Sequence, residues 1–193
     1  EEHTVALAGG ETATLRQPVP QLSEMSRGGF ANGTMTSLRV ANPMIGLGLL
    51  EAIHPADIAA LADPDDADGD GISGKASIVR DRESGALALG RFGWKATAPS
   101  LRVQTGEAFA GDIGISNPVI ADAFGDCAVS HAECRALPTG VQAHLGGTEA
   151  PDPVLDLVTY FSQHLAVPAR RDVDHPDVRA GKALFYEAGC ASC

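Results

Sequence analysis

The sequence predicts a mainly α, loop-rich fold with a small β-hairpin at its N-terminus, and three observations carry that prediction. The segment 153–165 spaces Val154, Leu157, Val158, Phe161 and Leu165 along one helical stripe. The segment 3–17 places two β-compatible runs on either side of Gly9-Gly10. The composition is 22 glycines and 12 prolines against 5% aromatic residues in 193. That balance favours short helices joined by loops over a bundle of long helices.

His3–Leu7 and Thr12–Leu15 are the strands of the hairpin. Residues 18–42 are irregular, interrupted by Pro18, Pro20, Gly28, Gly29 and Gly33. Pro43–Ile53 reads as a short buried helix built on Met44, Ile45, Leu47, Leu49, Leu50 and Ile53, with Gly46 and Gly48 weakening it. A further helix restarts at His54-Pro55, since proline lacks only an N–H that the first helical turn leaves unpaired anyway. Residues 63–98 show little regular structure. Pro99 to about Phe109 is helical, and 111–150 is loop. Asp152 suits the N-cap and Pro153 the first position of the 153–165 helix, whose apolar stripe is expected to face the core. After the linker Pro168–Arg171, a last helix runs from Pro176 to about Glu187, and Gly189 suits its C-cap.

Charge narrows the function. The formal net charge of −11 repels phosphate backbones, so nucleic acid is excluded as a partner. No run of 18 apolar residues exists, so no transmembrane segment is expected. Glu1-Glu2-His3 is neither a signal peptide nor an ordinary N-terminus, and further residues are expected before it.

Asp63 to Asp70 holds five aspartates in eight residues. Asp66, Asp68 and Asp70 are spaced as the D-x-D-x-D-G start of a calcium loop, with Gly71 for the sharp turn and the Ile72 carbonyl as a ligand. Clustered carboxylates repel one another unless a hard cation neutralises them. Ser77 stands where such loops carry a bidentate Glu, so a further ligand must come from Asp63, Asp65 or Asp81. The expectation is a structural Ca2+ on Asp63, Asp66, Asp68, Asp70 and Ile72; the alternative is a solvated acidic loop.

The four cysteines fall in two pairs. Cys127 and Cys134 are expected to close a short disulfide loop in an oxidising compartment, the alternative being two free thiols. Cys190 and Cys193 form a C-x-x-C. A reactive dithiol needs its thiolate at a helix N-terminus, and here the pair follows a helix and its glycine stop. A zinc site needs two further ligands, and the six histidines are scattered. Haem attachment through C-x-x-C-H needs a histidine as the next residue.

The tail Gly181-x-x-Leu184-Phe185-x-x-x-Gly189-Cys190-x-x-Cys193 resembles the opening of class I cytochrome c domains. Five other stretches, Leu38–Ile53, Ala62–Gly74, Leu89–Lys95, Gly111–Ile115 and His164–Arg171, together resemble the bacterial di-haem oxidoreductase family, whose members are often labelled thiol oxidoreductases or di-haem peroxidases. The resemblance implies a cytochrome c-like fold and two covalent haem c groups, one of them held by Cys190 and Cys193. It implies residues 1–171 as an inter-haem segment and 172–193 as the start of a C-terminal cytochrome c domain. The chain is then expected to be an inactive fragment of a periplasmic oxidoreductase, which takes electrons from a donor protein and gives them to a small redox substrate such as peroxide.

Trp94 is the only tryptophan. Bacterial di-haem cytochrome c peroxidases place a Trp between their haems and follow it with a distal Gln at a spacing similar to Trp94 to Gln104. The resemblance implies Trp94 as an electron relay, Gln104 as a distal group, and an acid that moves a proton between peroxide oxygens. No Glu follows Asn117-Pro118, where that family places its acid, so Glu107 or Asp112 takes the role. The plainer reading makes Trp94 a buried packing residue. His54 and His175 each precede a proline at a helix start and read as N-caps, and His164 as a packing or hydrogen-bonding residue. His3, His131 and His144 are axial ligands only in principle. Two rival functions stay open: a non-catalytic electron-transfer cytochrome, and a calcium-stabilised structural or binding module with a C-terminal disulfide.

Overall fold

A computed structural model describes residues 1–25, 29–125 and 127–192. They divide into two compact units, 1–41 and 42–193. In the first, β1 (Glu2–Ala6) and β2 (Thr12–Arg16) pair antiparallel, with Val5 opposite Ala13. Gly9 and Gly10 both have φ near +85° (84° and 86°), a conformation that lets the connection reverse without a Cβ clash.

The second unit carries helices α1 (Leu47–Ala52), α2 (Pro55–Ala59), α3 (Leu101–Ile113), α4 (Ala132–Arg135), α5 (Asp152–His164) and α6 (Pro176–Glu187). It also carries a second hairpin, β3 (Ile78–Arg80) and β4 (Leu87–Leu89), in a region expected to lack regular structure. Local turn chemistry makes that hairpin. Asp81 accepts hydrogen bonds from the Glu83 and Ser84 N–H groups and from the Ser84 hydroxyl, and Gly85 adopts φ 72°. The Ser84 hydroxyl, foremost, holds the Asp81 carboxyl below the usual range. Helix is the dominant regular structure, and loops outweigh both helix and strand.

α1 is shorter than the sequence suggests. Gly46 sits at φ 74°, which stops any helix from running in from Pro43. The two glycines that weaken the helix are there for packing. A methyl group on Gly48 would lie 2.1 Å from the Gln163 carbonyl oxygen, and one on Gly46 would lie 2.6 Å from Val167. α1 therefore meets the end of α5 backbone to backbone.

α5 buries a row turned by roughly 100° from the expected stripe, with Val158 and Leu165 of that stripe half-buried at its border. Leu155 is fully buried, whereas Leu157 is 70% exposed and Phe161 58%. The buried row is Leu155, Thr159 and Ser162. Both hydroxyls bond back to their own helix, Thr159 to the Leu155 carbonyl at 2.8 Å and Ser162 to the Val158 carbonyl at 2.9 Å. They thus cost no unsatisfied polar group. Asp152 is the first helical residue rather than the cap, which is Pro151.

α3 begins at an N-cap, Ser100, whose hydroxyl accepts from the Val103 N–H at 3.2 Å. It runs past the expected Phe109 and stops at Gly114, φ 70°. Leu101 and Val103 form the core with Phe92 and Ala98, flanked by Leu47, Leu50 and Val119. Arg102 bolts α3 to α5 through Asp152 and Asp156, and to the β3–β4 turn through Glu83. These partners, Glu83 first, hold the guanidinium above its ordinary pKa.

His54 caps α2 and His175 caps α6, each ring Nδ1 accepting a backbone N–H. α6 ends in a Schellman turn. The Cys190 N–H bonds to the Phe185 carbonyl, the Gly189 N–H bonds to the Tyr186 carbonyl, and Gly189 takes φ 73°. No helix among the described residues is long and apolar enough to cross a membrane.

Candidate functional site

The segment Gly90–Ala98 is built to hold an indole outward. Phe92, 2% exposed, plants the segment in the core. Phe92 bridges Ala98, with Arg91 and Phe92 both donating N–H to the Ala98 carbonyl. Gly93, at φ 79°, opens a turn closed by the Ala96 N–H to the Gly93 carbonyl at 3.1 Å. Trp94 and Lys95 are its two central residues, and Trp94 is 61% exposed. The reading of Trp94 as a core residue is therefore overturned: Phe92 takes the core position.

Gln104 on α3 is brought to this turn. A methyl group built on Gly93 would meet Gln104 Oε1 at 3.4 Å. Glu107 lies one helical turn further along α3, on the neighbouring face position. Its Oε1 accepts from Arg82 Nε at 2.7 Å, and Oε2 has no hydrogen-bond partner among the described residues. Asp112 is exposed near the end of α3.

An acid does reach Ser116, the residue before the Asn117-Pro118 pair, and it is one the sequence did not indicate. Glu149 accepts from the Ser116 N–H at 2.9 Å, the Ser116 hydroxyl at 3.0 Å and the Gly140 N–H at 2.7 Å. The Ser116 N–H, foremost, holds the Glu149 carboxyl below the usual range. A carboxylate so fully engaged is a clamp, not a proton carrier. Asn117, fully buried, donates to the Gly106 carbonyl at 2.8 Å and accepts from Val119 and Ile120. No sequence signal links Glu149 to Ser116 across 33 positions.

In the aspartate loop, carboxylate oxygens of Asp63, Asp66 and Asp68 lie within 4.8 Å of one another. An Asp63–Gly74 bridge closes the loop. Asp66 accepts from the Gly71 N–H at 3.1 Å, and Gly71 takes φ 86° at the sharp turn. Asp70 is not in the cluster; its carboxylate accepts the Ile72 N–H at 2.8 Å. Asp81 is committed to its own turn. An all-oxygen set of this kind suits a hard cation.

Cys127 and Cys134 are joined as a disulfide, Cα atoms 5.7 Å apart. Next to it Arg135 pairs with Asp122, donates to the Cys127 carbonyl and lies over the Phe124 ring. Cys190 is unpaired and exposed at the end of α6, and Leu184 and Phe185 before it are 62% and 52% exposed. Cys193 lies outside the described residues. His164 Nδ1 donates to the Tyr160 carbonyl oxygen at 2.7 Å, and the imidazole stacks on the Tyr160 ring.

The described site is thus a turn that holds Trp94 out of the core against the helix of Gln104 and Glu107, with an unpaired thiol after the stop of α6. Comparison with known families supplies the class: residues 4–193 match the family described as "Di-haem oxidoreductase, putative peroxidase". The chain belongs to this di-haem oxidoreductase family. No curated protein and no solved structure matches it.

Proposed function

We propose that the chain serves a periplasmic enzyme that reduces peroxide by electron transfer between two c-type haems, with residues 1–171 between them and 172–193 opening the second cytochrome domain. The observation that carries this reading is the Trp94 turn lying against Gln104, in a chain of the di-haem family.

The residues present suit haem attachment: Cys190 is a free, accessible thiol, and the exposed Leu184 and Phe185 leave apolar surface for a large flat group to cover. Cys190 and Cys193 would hold that group. Bound haem would supply the one-electron chemistry at the substrate. Trp94 relays electrons at the tip of its turn. The Gln104 amide donates to a peroxide oxygen and orients it. Glu107, gripped through Oε1 by Arg82, accepts a proton at Oε2 and returns it to the leaving oxygen. Electrons arrive from a donor protein. Asp63, Asp66 and Asp68, with the Ile72 carbonyl, hold a structural Ca2+ that fixes the loop after α2.

The test is a pyridine haemochrome spectrum of the full-length gene product co-expressed with cytochrome c maturation proteins, followed by peroxide turnover. Two covalent haems per chain are expected, with Trp94→Phe and Gln104→Leu each slowing turnover by about tenfold or more, a barrier change of about 1.4 kcal/mol. Covalent haem without peroxide turnover would make the protein an electron carrier. Absence of covalent haem would refute the reading and leave a calcium-bound module.

A further inference from the structure

The turn that carries Trp94 is tied to the rest of the unit by the residue three before it. Arg91 reaches across to the C-terminal end of α1, where its Nη1 donates to the Leu50 and Glu51 carbonyls at 3.1 Å each and to the Ile53 carbonyl at 2.7 Å. Helix ends leave their last carbonyls unpaired, and a guanidinium there satisfies them while facing the negative end of the helix dipole. The side chain is threaded rather than draped: its Nε is buried and makes no hydrogen bond among the described residues.

The same turn of α1 reaches on to α3. Glu51 Oε1 accepts the N–H of Leu101, the first residue of α3, at 2.8 Å. Its Oε2 accepts from Gln163 Nε2 on α5 at 2.6 Å. α3 is the helix of Gln104 and Glu107. Two side chains therefore meet at one helix end, Arg91 from the Trp94 side and Glu51 toward the Gln104 side.

We propose that Arg91 is a positioning residue for Trp94: it fixes the indole-bearing turn against the last turn of α1 and, through Glu51, against the helix that carries Gln104 and Glu107. The functional weight of this rests on the peroxidase reading above; the mechanical coupling does not.

Trp94 is the only tryptophan in the chain, so its emission reports on this turn alone. Time-resolved anisotropy would be measured on wild type, Arg91→Lys and Arg91→Met, with far-UV circular dichroism as the check on folding. Arg91→Met keeps the apolar stem and removes every donor. Its fast depolarisation is expected to grow about twofold, because a loop released from an anchor moves on the nanosecond scale that anisotropy reads. Arg91→Lys, whose single ammonium serves fewer carbonyls, is expected to fall between. Should Arg91→Met not fold, Arg91→Gln replaces it, since its shorter, neutral amide cannot reach the Leu50, Glu51 and Ile53 carbonyls together; a rise in depolarisation is again expected. A folded Arg91→Met, or in its place a folded Arg91→Gln, with wild-type depolarisation would overturn the proposal.

In the haem-loaded full-length protein, Arg91→Met is expected to lower kcat with KM unchanged. Trp94→Phe tests the peroxidase reading separately. If Trp94→Phe turns over like wild type, that reading fails, while the emission result still decides whether Arg91 positions the indole.

Discussion

A single methyl group at Gly90 tests how tightly the Trp94 turn is built. Gly90 is buried beneath the turn, and a Cβ there would lie 1.9 Å from the Ala96 carbonyl oxygen, 2.9 Å from its carbon and 3.2 Å from Val79 Cγ1. Real Cβ contacts essentially never fall under 3.0 Å, so the backbone must open by at least 1.1 Å, the difference between 3.0 and 1.9 Å. The obstructing atoms are main chain and cannot swing aside as a side chain does. Opening the turn strains the bonds of Arg91, Phe92, Thr97 and Ala98 that close it. Overpacking costs typically 1–3 kcal/mol, and a main-chain clash belongs at the upper end, so Gly90→Ala should destabilise by about 3 kcal/mol. For a chain of this size that is roughly a 6–12 °C fall in Tm. Urea titration followed by Trp94 emission and by circular dichroism would measure it. Gly111→Ala is the control: that glycine is helical, its built Cβ meets nothing within 4 Å, and the change should stabilise by about 0.5–1 kcal/mol. If Gly90→Ala lies within about 0.5 kcal/mol of wild type, the account of the turn is wrong.

Leu155→Ala should cost about 2–5 kcal/mol in chemical denaturation, and Leu157→Ala no more than about 0.5 kcal/mol in the same chain; the reverse order would restore the face expected from the apolar stripe. Glu149 has its folded pKa depressed by the Ser116 and Gly140 donors, so its contribution is present above the unfolded carboxyl value of 4.5 and is lost as pH falls through the lower folded value. Glu149→Ala should therefore cost about 2–3 kcal/mol at pH 7 and progressively less below pH about 4.5, read from urea midpoints across pH. Saturating Ca2+ should raise stability by about 2.7 kcal/mol at a hundred times its Kd, and Asp66→Asn should abolish the shift; a Tm indifferent to Ca2+ and to chelator would remove the metal from the loop.

The sequence by itself determined whatever is decided within a few residues. Gly9-Gly10 marks a reversal, His175-Pro176 a helix start, and Gly189 a helix stop, because φ preference and capping act over one turn of chain. The D-x-D-x-D-G spacing likewise marked the sharp turn at Gly71, which takes φ 86°. The period of α5 was legible, but not its inward face. Hydrophobicity favours Leu157 and Phe161, while the tertiary structure buries Thr159 and Ser162, whose hydroxyls are satisfied within the helix itself. The β3–β4 hairpin was missed because three-residue strands carry too short a pattern, although Asp81, Ser84 and Gly85 supply its turn. The Gly-Arg-Phe-Gly-Trp run was visible as residues, but the division of labour within it was not. Phe92 goes to the core, Gly90 under Ala96, and Arg91 to a helix end about forty residues away, at separations of 38 to 41. Glu51 finds Gln163 across 112 positions, and Glu149 finds Ser116 across 33. Such pairings have no local signature, because a carboxylate takes whichever donors the closed chain brings to it. Only the tertiary structure decides them, and they hold the candidate site in place.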